Sequence, residues 1–380
     1  MTRYTADEEG RIRMQARVRE WTRSGLLDPS QSATLAGELR VDARRTNVFL
    51  RVVLALFTWL IVAASIALVM VTNRVETDTP LAIVTGISAL VCMALAEFAI
   101  GQFRLYRFGV EEALAVAAAV LAGVSASFFP ANPIDVPRIV VGLAVGAAGG
   151  AAVYVRFGYV YVALGALAAA VAIPFQLDLR VSAQHATAAV LLLAAFVLAR
   201  SRRLSYRDDY PGDDYGVIQA AAWAGLYLAL NVRLTGDLFD GRFYWFTYPA
   251  TWLLPFVGLY LSQRSRDRPL LDVSLVMALL TLITNKPYLG HEHREWDPIL
   301  LGVLLVAVAL AVRRWLSTGA DGQRGGFTSL RVLHKDSALL NVVSTAAVAY
   351  QPVSTSHPRP SDATDFSGGR SGGAGGGASF

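Results

Sequence analysis

Charge is scarce in this sequence: 17% of its 380 residues are Asp, Glu, Lys or Arg, against about 25% in soluble domains. Cysteine is nearly absent. The single Cys92 stands inside an apolar run, so no intrachain disulfide can form and cysteine pairing gives no redox compartment. Lysine is nearly absent too, with Lys286 and Lys335 the only two among 34 basic residues. Arginine in place of lysine, with the alanine and glycine load, points to a GC-rich bacterial genome. There is no charged-then-apolar start of a cleavable signal peptide. Some 46 polar residues come first, so the first apolar run must serve as its own insertion signal. No G-x-S-x-G elbow is present. No GK[ST] follows the irregular C-terminal glycines, which excludes a phosphate loop. Short alternating segments of a membrane barrel are missing as well.

Long apolar runs fill the space that these absences leave. Hydrophobic residues make up 54% of the chain, and a bilayer core of about 30 Å needs roughly 20 of them as helix. Ten runs qualify: 48–72, 81–103, 110–129, 136–155, 158–175, 183–199, 216–232, 246–263, 270–285 and 298–316. Backbone groups in lipid must be satisfied within their own segment, so each run is expected as a helix. The expected fold is an all-α, polytopic transmembrane helical bundle of about ten spans.

Arginine placement sets orientation. The N-terminal segment carries nine arginines from Arg3 to Arg45. Alternate loops then carry Arg104 and Arg107, Arg156, Arg200 to Arg207, and Arg264 to Arg268, and the last run exits into Arg313 and Arg314. The opposite loops hold fewer arginines, mixed with Asp and Glu. Both termini are therefore expected in the cytoplasm of a bacterial inner membrane. The net charge of +5 reads as topology, with no nucleic-acid partner implied. The tight turn at Arg156 decides the parity: a single re-entrant element there would swap the sides of the later loops. Tyr244, Trp245 and Tyr248 mark an aromatic interface belt.

Four regions follow. Residues 1–46 read as a cytoplasmic helical hairpin. Ser24-Gly25 breaks its first helix, and Asp28-Pro29-Ser30-Gln31 starts its second with an N-cap, a proline at the first turn and a capping glutamine. Residues 47–316 hold the bundle. Residues 317–350 include an amphipathic segment with Leu339, Leu340, Val343 and Ala347 on one side. Residues 351–380 are Pro/Ser-rich and then Gly-rich, a composition expected to be disordered. Within the bundle, Gly142, Gly146 and Gly150 form a small-xxx-small stripe, which lets helix backbones approach closely. It serves internal packing in one reading and a homodimer face in the other.

The hairpin sequence from Arg19 to Gln31 contains W-x3-G-L-L-x3-Q, set by Trp21, Gly25, Leu26, Leu27 and Gln31. It resembles the opening of a family of uncharacterised bacterial multi-pass membrane proteins. The likeness covers the N-terminal sixth of the chain and, beyond it, only the many-span layout. The chain departs from the family pattern in lacking a glycine-rich first span and a following Asn-Trp. The ending from Phe366 to Phe380 looks like the Gly-rich tail of some bacterial membrane-anchored proteins with an extracytoplasmic phosphatase-like domain, a domain this chain lacks. The resemblance implies a membrane protein with a cytoplasmic hairpin and lends no activity.

Candidate chemistry is sparse. Glu97 lies late in the second run, and charges in spans are costly enough to suggest function. A proton or cation site is one reading; a pair with Arg104 or Arg107 is the other. Glu111 and Glu112 open the third run, where the helix dipole favours acids, and Asp272 opens the ninth. His291 and His293, with Glu292, Glu295 and Asp297, form the densest set of metal-type ligands; a solvated loop titrating near pH 6 is the alternative. His185, at the outer end of the sixth run, could add a distant ligand, though nothing in the sequence brings it near. Asn231, Arg233, Thr281, Thr284 and Asn285 stand at span ends, lining a shallow cavity or satisfying helix termini. The span midplanes read as almost entirely Ala, Val, Leu and Gly. No cofactor motif is present. These features favour a structural, scaffold or sensory membrane protein, with a protein partner expected at the hairpin. Transport of a small solute or ion is the alternative, and a membrane enzyme using the His/Glu loop the third.

Overall fold

The structure, a computed structural model, describes residues 6–129, 137–205, 211–235, 242–265, 267–284, 297–319, 323–324 and 327–328. The described residues are α-helix and connecting loop apart from a short 3-10 turn, a single parallel bridge between Arg44 and Leu105, and a two-residue antiparallel pair, Gln323–Arg324 with Phe327–Thr328. Two helices precede the bundle: α1 (Ala6–Arg23) and α2 (Pro29–Glu38). Gly25 takes the left-handed turn between them at φ +71°, and the Gln31 side chain accepts from the Asp28 N–H at 3.2 Å. Ile12 and Val18 are buried, whereas Leu26 is exposed.

The bundle follows as α3 (Val48–Thr72), α4 (Asp78–Phe103), α5 (Val110–Phe128), α6 (Arg138–Phe157), α7 (Val160–Ala172), α8 (Val181–Ser205), α9 (Pro211–Leu230), the single turn α10 (Val232–Thr235), α11 (Arg242–Ser265), α12 (Arg268–Thr284) and α13 (Asp297–Ser317). Five of these, α3, α4, α5, α6 and α8, are long and apolar enough to cross a membrane among the described residues. At 1.5 Å per residue, α3 reaches about 37 Å, ample for a bilayer core. Thr58 is its one buried residue, while Phe49, Phe57, Leu60, Ile61 and Val71 lie bare. An apolar surface that large is stable only in lipid or under a partner. The fifth expected run is shorter than a full span: α7 ends at Ala172 and tightens into a 3-10 turn at Ile173–Gln176, with Pro174 inside it. Tyrosines, tryptophans and prolines dilute the apolarity of α11.

Two cores hold the helices. One gathers Cys92 and Ala96 of α4, Leu114 to Ala119 of α5, Val153 of α6 and Val162 of α7. The other gathers Leu192 and Phe196 of α8, Trp223 and Tyr227 of α9, and Leu270 and Met277 of α12. At the Arg156 turn the chain reverses as a hairpin. Gly158 caps α6 in the left-handed conformation at φ +75°, and a Cβ on Gly150 would stand 3.0 Å from that of Ala166, equally far beyond the turn. The two helices run back to back as separate elements.

Candidate functional site

Charges collect at the end of the bundle that carries α1 and α2. Glu97 is held by Arg156 of α6, at 2.5 Å from Nε and 3.2 Å from Nη2. Arg104, expected beside Arg107 as a candidate partner of Glu97, closes α4 in the left-handed region and holds Glu8 of α1 at 2.5 Å. Arg51 in the first turn of α3 clasps both oxygens of Glu112 in the first turn of α5. Tyr161 lines the same cavity of about 270 Å³. Glu111 is fully buried beside them; one oxygen accepts the Phe108 N–H at 2.7 Å, and the other has no hydrogen-bond partner among the described residues.

The α1–α2 hairpin is fastened to both halves of the bundle. Arg13 holds Asp214 at the start of α9 at 2.8 Å, both side chains largely buried, while Glu8 meets Arg104 between α4 and α5. The linker joins as well. Arg44 N–H donates to the Arg104 carbonyl at 3.0 Å, Tyr106 N–H donates to the Arg44 carbonyl at 3.1 Å, and Arg45 donates to Gln15 at 2.7 Å. Burial, and then the nearby Arg19, lower the Arg45 pKa from its ordinary value. Hairpin and linker arginines are thus partly spent on docking.

A second polar assembly crosses the other core, where the sequence reading expected plain midplanes. Gln219, Trp223 and Tyr227 recur every fourth residue on one face of α9, and Asn231 continues the spacing just past its end. All four are buried. Asn231 donates to the Tyr227 hydroxyl at 2.9 Å and to Thr284 at 3.2 Å. The Tyr227 hydroxyl meets Thr281 of α12 at 2.8 Å. Thr281 in turn reaches the Thr251 carbonyl of α11 at 3.2 Å. That carbonyl lacks its usual helical donor, because the residue four places on is Pro255. A proline in α11 and a threonine in α12 are therefore matched. At the hairpin end the seam closes on Arg203 of α8, which holds Asp267 in the α11–α12 loop. Desolvation pushes the Asp267 carboxyl up from its ordinary value, against the opposing pull of Arg203.

The remaining expected residues are placed as follows. Gly142 and Gly146 meet Gly123 of α5 nearly backbone to backbone, and Gly150 meets α7. The stripe is used inside the bundle. Beside it runs an apolar groove of about 630 Å³, from Arg138 at one end to Tyr161 at the other. His185 is buried with Nδ1 2.9 Å from the Ala229 carbonyl, and Asp272 stands 4.0 Å from Arg268. His291 and His293 lie outside the described residues, as do the amphipathic segment and the Gly-rich tail. Among the described residues no cluster of three His, Cys, Asp or Glu side chains is placed to hold a metal. Asn231, Thr281 and Thr284, named from the sequence at span ends, meet in this assembly; Gln219, Trp223 and Tyr227 on α9 and the partners Arg51, Arg156 and Tyr161 were not read from sequence. The four-residue spacing of Gln219, Trp223, Tyr227 and Asn231 was the available signal. Compared with known protein families and with curated proteins, the chain matches none of them.

Proposed function

We propose that this chain is an integral protein of the bacterial cytoplasmic membrane with about ten spans and both termini in the cytoplasm. It acts as a sensory or scaffold protein through its N-terminal hairpin, and belongs with the multi-pass proteins that share the W-x3-G-L-L-x3-Q opening. The five long apolar helices support the membrane setting. Ion pairs link the starts of α3 and α5, the ends of α4 and α6, α1 with the start of α9, and the end of α8 with the α11–α12 loop; the arginines gathered there support a cytoplasmic reading of this end by the positive-inside rule. The observation that carries the functional reading is the docking of α1 to Arg104 on one half and to Asp214 on the other. A surface so placed reports on both halves at once, and the partner it contacts is expected to be a protein, at the exposed edge around Leu26. A photo-crosslinking residue at Leu26, introduced in cells, tests this: a discrete crosslinked species is expected, lost when Asp214→Arg frees the hairpin. Ion flux through proteoliposomes that disappears in Glu97→Gln would replace the scaffold reading with transport.

The transport alternative has its own support in the buried polar face of α9. The enzyme alternative depends on His291 and His293; metal analysis of wild type beside the double alanine variant decides it, since metal-free wild type removes it.

A further inference from the structure

Gln219 is fully buried, and among the described residues neither its amide nitrogen nor its amide oxygen has a hydrogen-bond partner. One turn along the same face, the buried Trp223 indole nitrogen has none among the described residues either. Buried polar groups in folded proteins are nearly always satisfied, by protein or by ordered water. Two unsatisfied neighbours on one helix face therefore point to a missing occupant.

The surroundings define its chemistry. A Cβ on Gly258 would stand 2.2 Å from the Ser274 hydroxyl oxygen and 2.5 Å from Trp223 Nε1. The glycine thus lets α11 sit against polar atoms from both α9 and α12. Ser274 donates its own proton to the Leu270 carbonyl at 2.7 Å, which leaves its oxygen as an acceptor. The unspent groups are then N–H donors on Gln219 and Trp223 and acceptors on Gln219 and Ser274. Between the Arg203–Asp267 pair and Asn231, the described seam residues carry no ionised side chain. A cation would face the indole and amide N–H groups, and an anion would find no positive partner.

We propose that the α9–α11–α12 seam is a binding site for a small uncharged molecule that both donates and accepts hydrogen bonds, with water as its resident ligand. Water needs two to four polar partners; Trp223 and Ser274, brought together across Gly258, offer two, and Gln219 one turn along offers its own unsatisfied amide. The site continues into the Tyr227–Thr281–Asn231 chain. From Gln219 to Asn231 the polar face extends about 18 Å along the helix, over half the bilayer core. Polar character thus penetrates the half of the bundle that looked featureless. This inference stands apart from the hairpin reading and survives its failure.

Radiolytic hydroxyl labelling of the full-length protein in lipid nanodiscs, in 18O water, tests it. Bound water generates radicals in place, so a buried residue beside it is modified quickly. Phe196 is the internal control: it is as buried as Trp223 and packs against it with ring centroids 4.5 Å apart. After correction for intrinsic ring reactivity, Trp223 is expected to take up 18O several-fold faster than Phe196. Gln219→Leu is expected to slow Trp223 labelling several-fold. Equal labelling of Trp223 and Phe196 in wild type overturns the proposal, and that comparison needs no variant to fold. Unchanged Trp223 labelling in a folded Gln219→Leu protein overturns it as well.

Discussion

Single residues fix the closest approaches in this bundle. Gly109 takes φ +112°, and a Cβ there would lie 2.3 Å from the Arg51 carbonyl oxygen. That contact brings the start of α5 against α3, where Arg51 and Glu112 pair. Gly123 is the second such point. Its Cβ would meet the Gly142 carbonyl oxygen at 2.7 Å and Gly146 Cα at 3.2 Å. Those atoms are backbone and cannot rotate away. Gly123→Val should therefore force α5 and α6 apart and cost about 1–3 kcal/mol of overpacking. Unfolding by detergent titration measures it, and wild-type stability in the variant refutes the packing role. Asp267 titrates in a direction that can be checked. Burial raises its folded pKa above the ordinary value of 3.8, so the folded protein keeps this proton to higher pH than the unfolded chain does. The contribution of this group is full below the ordinary aspartate value and is lost as pH rises through the raised folded value. The thermal midpoint is expected to decline across that window in wild type, and the decline should vanish in Asp267→Asn.

At the scale of elements, the hairpin and α11 show what sequence pattern carries and what it misses. The hairpin was legible because its signals are local: Gly25 at the turn, Asp28 and Gln31 at the start of α2. Its docking was not, because Arg13 and Asp214 are 201 residues apart and nothing in either neighbourhood names the other. The partner of Glu97 was hidden for the same reason; Arg156 lies 59 residues on. Docking through partly buried charge pairs has a consequence. Asp214→Arg should place like charges together and release α1, exposing the hairpin to protease at its many arginines. Faster trypsin cleavage within 11–23, with the bundle intact, is the expected result; unchanged cleavage would mean that the pair contributes little. In α11, Pro255 strips the Thr251 carbonyl of its helical donor, and the Thr281 hydroxyl, which also reaches the Met277 carbonyl at 2.9 Å, lies 3.2 Å from it. Neither residue announces this pairing in sequence, since it depends on the register of α11 against α12.

At the scale of the molecule, the described helices divide between an alanine- and glycine-rich core around α5 and a second core around α9 that contains the polar seam. The ten-run topology makes a prediction of its own. In a Cys92→Ala background, a cysteine at Asp178 should react with a membrane-impermeant thiol reagent from the periplasmic side. Reaction from the cytoplasmic side would break the alternation at the Arg156 turn.

Composition and period determined the class of protein by themselves. Long apolar runs in a chain poor in charge have only one stable solvent, and backbone satisfaction in that solvent requires helices. The local caps and turns followed from their own residues for the same reason: each contact lies within a few positions. What tertiary structure decided was pairing. Which arginine meets Glu97, which helices the glycine stripe faces, and that the polar atoms of Gln219 and Trp223 are enclosed without partners among the described residues all depend on how helices far apart in sequence pack. A polar residue on an isolated helix reads as an incidental exception to apolarity. Only when α11 and α12 close over α9 does the same residue become a buried group that needs a ligand.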